Sequence, residues 1–222
     1  MIATLLTVAL LSGAAGTGPK LALAPKAKPA AAAKAKPAGK APAKAKPKQK
    51  AHAAAEHAVT LTSDPVVDPL APASGGRMQC YNPDTIKHTC ASLAEFADNG
   101  DGTWSNISSV LINSAPPVVL KTITPVTVKD SAICGQIRPE DITAGTLTVS
   151  GAVLSPADAE PILANIGQAM IKLYGHEICT RFYANGIDYT AKVTMDGEPN
   201  GMPDNEVLWV GPKDGYIVAP KG

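Results

Sequence analysis

Beyond about residue 100, apolar and polar positions alternate with a period of two, in short runs bounded by Gly, Pro, Asn and Asp. The plainest unit is EICTRFYANGIDYTAKVTMDG at 177–197, where Asn185-Gly186 lies between two alternating runs and predicts a two-residue hairpin turn. With that turn Ala184 faces Ile187, Phe182 faces Tyr189, Thr180 faces Ala191 and Ile178 faces Val193, and this side reads as core. The other side carries Cys179, Arg181, Tyr183, Asp188, Thr190 and Lys192. Further strands are predicted at 103–112, at 117–130 with a kink at Pro125, at 145–151, at 206–212 and around 216–220. Two Gly with Asn and Asp in DNGDGT, ahead of Trp104, predict a tight turn.

One segment switches to helical spacing. Ser155 can cap it, Pro156 fits the first helical position, Asp158 and Glu160 lie in the first turn, and Gly175 falls just past the end. Its apolar set, Ile162, Leu163, Ile166, Met170, Leu173 and Tyr174, recurs every three or four residues and reads as core packing. The expected fold is therefore α+β, mainly an antiparallel β sheet or small sandwich with one packed helix, over 77–222.

Charge changes the picture at the other end. The chain has a net charge of +1, but residues 1–55 hold ten Lys, no Arg and no acid, and the remainder holds ten Lys or Arg against nineteen acids, a formal −9. Such asymmetry marks an interacting tail. Residues 2 to about 15 are apolar, the length of a secretory h-region and too short to span a membrane. The reading is a signal peptide at 1–24, cleaved near 15 or 24, in an exported protein, periplasmic or extracellular, without a transmembrane segment. Residues 25–76 read as a disordered Lys/Ala/Pro-rich linker. Pro25, Pro29, Pro37, Pro42 and Pro47 interrupt any helix, and no aromatic is present to support a core. The thirty-one residues from Lys20 to Lys50 would span about 30 Å on average and about 95 Å at full reach.

By composition this arm resembles the basic tails of linker histones and of some bacterial nucleoid proteins, and also Pro-rich envelope-spanning linkers. The resemblance implies either sequence-blind phosphate binding or adhesion to anionic envelope polymer or lipid head groups. Export favours the envelope, and the absence of interleaved aromatics argues against single-stranded nucleic acid. A third expectation is that the arm folds back on its own acidic domain.

Cys80, Cys90, Cys134 and Cys179 form an even set, which in an exported chain reads as two disulfides with three possible connectivities, local pairing being the first choice. No CxxC or HxxxH spacing supports zinc. His176 opens HEICTR but lacks the second His that a zinc-protease helix needs, and His88 beside Cys90 imitates a Cys-His pair that a disulfide would remove. In DGEPNGMPDNEV, Asp196, Glu198, Asn200 and Asp204 stand at spacings reminiscent of a calcium loop, but the closing position is Val207 and the flanks read as strands. Arg181, Tyr183, Thr190 and Lys192 could receive an anion or a carboxylated ligand, although a Cys134–Cys179 bond would draw the segment around Cys134 across that face. Asn106-Ile107-Ser108 is a glycosylation sequon. No Ser-His-Asp order, carboxylate pair or phosphate loop stands out, and no cofactor is implied. The functional expectation is an exported, non-catalytic domain on a basic tether, for envelope association or ligand or protein binding. The alternatives are a nucleic-acid-associated protein and an envelope enzyme.

Overall fold

The computed structural model describes residues 64–221, so the expected signal peptide and the Lys/Ala/Pro arm up to residue 63 lie outside the described residues. A 3-10 turn at Ala71–Gly75 leads into β1 (Met78–Tyr81), β2 (Thr89–Cys90), β3 (Ser92–Asp98), β4 (Thr103–Ser114), β5 (Pro117–Lys129) and β6 (Ala132–Gln136). Then come a short helix α1 (Pro139–Thr143), β7 (Thr146–Val149), β8 (Ala152–Val153) and the longer helix α2 (Pro156–Ala169). The chain finishes through β9 (Glu177–Asn185), β10 (Asp188–Met195), β11 (Glu198–Pro199), β12 (Asn205–Val210) and β13 (Ile217–Val218).

Eight of these strands close into a barrel. Antiparallel pairing runs β4, β3, β1, β12, β10, β9, β6, β5 and back to β4. The expected mainly antiparallel fold is present, but its sheet or sandwich with one packed helix is corrected to a closed barrel-like sheet with two helices among the described residues. Closure comes from β5. One side of this long strand pairs with β4 along nearly its whole length, while the other takes β6 at Val126–Lys129 and β7 at Val118–Lys121. Pro125, which has no N–H to donate, falls in the gap between those two partners. The chain bridges the gap as α1, whose Arg138 clamps the buried Asp141 carboxylate with both Nε and Nη2. Gly135 and Gly145 flank this excursion, and a Cβ on either would come within 3 Å of backbone oxygen, that of Pro125 and of Ile142 respectively.

Ser155 caps α2 by accepting from the Asp158 N–H. The helix ends at Ala169, short of the expected Gly175, because the Met170 N–H is shared between the Ile166 and Gly167 carbonyls and the chain tightens into a 3-10 turn at Ile171–Leu173. Ala159, Leu163, Ile166 and Met170 join Leu120, Ile142, Leu147, Ile178 and Phe182 in one core. Residues 64–76, read from composition as the end of the linker, pack onto the barrel: Leu70 is buried and the Val66 N–H donates to the Phe182 carbonyl.

The β9–β10 hairpin differs from expectation in one detail. Asn185 pairs with Asp188, so Gly186 and Ile187 are the turn residues, with Gly186 at φ +66° as a type II′ turn requires of its first central position. The register moves by two residues, which leaves every side chain on its expected face. Both disulfides form, Cys80–Cys90 and Cys134–Cys179, and no described cysteine is free.

Candidate functional site

Cys134 and Cys179 are directly opposite residues of the paired strands β6 and β9, with Cα atoms 4.1 Å apart. The segment around Cys134 therefore lies beside β9 in the same sheet and does not cross its outer face, contrary to the expectation from sequence. That leaves the outward side chains of the hairpin accessible. Register puts Arg181 opposite Lys192 and Tyr183 opposite Thr190. Like charges directly across a strand pair repel, so this arrangement costs stability. Lys192 offsets part of it by extending over the Tyr183 ring, 5.2 Å from its centroid, and towards Asp204 at 3.8 Å. Arg181 has no ion pair and no side-chain hydrogen bond among the described residues.

The loop after β11 folds over these side chains and makes a pocket of about 260 Å³, lined by Arg181, Tyr183, Lys192, Asn200, Met202 and Asp204 among others. Asn200 accepts from the Met202 N–H through Oδ1, while its Nδ2 is buried without a partner. Thr190 shares the face but does not line the pocket. Two cations, an amide donor and an aromatic face converge here with one carboxylate, Asp204, drawn towards Lys192, which leaves the Arg181 guanidinium fork as the group suited to a small planar carboxylate.

The four calcium-loop residues do not converge. Asp196 turns away to His176, with Oδ2 2.5 Å from Nδ1, and its Oδ1 accepts from the Glu177 N–H. Those two contacts hold the Asp196 carboxyl below its ordinary range. Glu198 is exposed in β11, Asn200 lies in the pocket and Asp204 faces Lys192. Among the described residues no three Asp, Glu, His or Cys side chains are grouped as metal ligands. His88 stacks on Tyr216 at 4.8 Å and bonds the Asp214 carbonyl through Nδ1, while Cys90 is buried in its disulfide. Asn106 of the sequon is buried and unavailable for glycosylation in the folded domain.

Sequence reasoning missed an acidic group on β10 and β12. Burial and the charge of Asp188 push the Glu206 carboxyl above its ordinary range, and burial followed by Asp214, Asp188 and Asp84 raises the Tyr216 hydroxyl. Only the pairing of β12 with β10 brings Asp188 and Glu206 together, and no local pattern announces it. A larger groove of about 710 Å³ lies between α2 and the β7–β8 hairpin, walled by Leu147, Leu154, Ala159 and Leu163.

The sequence matches no family model, and no curated protein and no solved structure is similar to it. Any functional reading therefore stands on these residues alone.

Proposed function

We propose that this chain is an exported, non-catalytic binding module, a disulfide-stapled barrel carried on a basic tether at the cell envelope, whose β9–β10 pocket takes a carboxylate-bearing ligand. The observation that carries the reading is the unpaired Arg181 guanidinium set opposite Lys192 in a segment of formal charge −9. A cation pair facing each other on an acidic domain costs stability unless an anion lies between them. Support for export is the presence of both disulfides, a chemistry that persists in oxidising compartments. Among the described residues no helix is long and apolar enough to cross a membrane. In this reading the ten Lys of the arm hold anionic polymer or lipid head groups, and the acidic barrel is repelled from the same surface.

The test uses the full chain, its Arg181→Gln variant and a form lacking residues 25–50. Titration with glucuronate at fixed ionic strength should raise the melting temperature of the parent saturably, and Arg181→Gln should weaken that binding by about tenfold or more. The deletion should lower binding to vesicles of phosphatidylglycerol and phosphatidylcholine without moving the melting temperature. Superimposable titrations of parent and Arg181→Gln, or vesicle binding unchanged by the deletion, would sink the corresponding half of the proposal.

A further inference from the structure

The inward wall of the barrel is polar where β1, β3, β4 and β5 meet. Gln79 is opposite Ala94, Ala94 opposite Ser108, and Ser108 opposite Thr122, so one row crosses four strands. Asn106 and Thr124 face each other in the next row. These positions are inward because they alternate with the exposed Glu95, Lys121, Ile123 and Pro125 and share the parity of the core residues Val110, Leu120 and Val126. Gln79 is 0% exposed, Ser92 0%, Asn106 1%, Thr122 2%, Thr124 3% and, on β9, Thr180 1%.

The chain satisfies the amide oxygens of this wall itself. The Tyr81 hydroxyl donates to Gln79 Oε1, and the Ser108 hydroxyl donates to Asn106 Oδ1. What remains unpaired is two amide donors, Gln79 Nε2 and Asn106 Nδ2, and the hydroxyls of Ser92, Thr122, Thr124 and Thr180, which can both donate and accept. Each amide nitrogen brings two N–H groups and each hydroxyl one O–H. Buried polar groups in folded proteins find partners, and a cluster of orphans marks the place of an internal guest. The guest is uncharged. Asp141, the one charged side chain among the buried described residues, is spent on Arg138, and the row offers no cation to balance an anion. An eight-stranded barrel is wide enough to be filled by side chains or to hold one small ligand, and Ala94, Ser108 and Thr122 are small members of this wall.

We propose that the barrel interior is a binding site for uncharged hydroxyl groups, supplied by ordered water or by a small neutral polyhydroxylated solute, with Gln79 and Asn106 as the principal amide donors. It is independent of the Arg181 pocket on the outer face.

The test starts from Thr122→Val and Thr124→Val in the full chain, since valine keeps the volume and removes the hydroxyl. If a guest bonds these hydroxyls, each variant melts about 2–4 °C below the parent. If the hydroxyls are orphans, valine relieves them and the melting temperature rises. Native mass spectrometry of protein purified without denaturation distinguishes the sources: a mass excess lost on unfolding identifies a solute. No excess, together with long-lived internal water by magnetic relaxation dispersion of the water oxygen, identifies water. Valine variants that melt at or above the parent, or a barrel with neither mass excess nor long-lived water, would overturn the proposal.

Discussion

Glu206 and Asp188 occupy the same outer face of adjoining strands, and their proximity has a thermodynamic sign. Burial first, and the Asp188 charge second, raise the Glu206 carboxyl in the folded state, so the fold holds a proton that the unfolded chain releases. That contribution is fully present below the ordinary glutamate range and is lost as pH rises through the raised folded value. Glu206→Gln removes it. The variant should show a flatter dependence of unfolding free energy on pH between about 4 and 7 and should be the more stable protein at neutral pH, by less than about 1 kcal/mol because the side chain is largely exposed. Urea denaturation across that range checks it, and parallel curves for parent and variant would refute it. At this scale the sequence was readable where a neighbour in the chain decides the outcome. The outward set Arg181, Tyr183 and Lys192 follows from alternation alone and survives a turn displaced to Gly186-Ile187, because a shift of two residues conserves parity. It was misleading on β5, where the apolar pattern points the wrong way: Ile123 is 57% exposed while Thr122 and Thr124 face inwards.

Among elements, α2 was legible because its signals are local, a capping Ser155, Pro156 in the first turn and an apolar stripe. The short strands β1, β3 and β6 were not, since four to seven residues, one carrying Gly135, show too little alternation to stand out. The α1 excursion was hidden for a different reason. Pro139, Glu140 and Asp141 open it in the accepted way, but five residues cannot form a helix by themselves, and packing against α2 and β5 supplies the rest. Gly145 shows how close that packing is, for a Cβ there would sit 2.7 Å from Leu120 Cδ1 and 2.9 Å from the Ile142 carbonyl oxygen. Gly145→Ala should destabilise the domain by about 1–3 kcal/mol. Chemical denaturation measures it, and an unchanged midpoint would mean that α1 yields freely.

For the whole molecule, the decisive feature is ring closure, which no local pattern encodes because it depends on strands far apart in the chain finding one another's register. The two disulfides bear on that differently. Cys80–Cys90 spans 10 residues beside the small β2–β13 pairing, whereas Cys134–Cys179 spans 45 and ties the two ends of the excursion that contains α1, β7, β8 and α2. Replacing Cys80 and Cys90 by Ser should cost about 3 kcal/mol and replacing Cys134 and Cys179 about 4 kcal/mol on the loop-entropy account. Equal losses from the two double variants in urea denaturation would show that loop length is not what matters. Closure also settles how this domain can meet a partner. Each of the eight barrel strands is flanked on both sides over part of its length, and the described strands left at a margin, β8 and β11 of this sheet and β2 and β13 of the small one, are two residues each. Among the described residues, extension of the sheet by a peptide through main-chain hydrogen bonds, the route open proteins offer and aggregates exploit, is confined to short stretches such as the end of β9 beyond Arg181. Recognition then falls mainly to side chains and loops, which select by chemistry more than by a partner's willingness to become a strand.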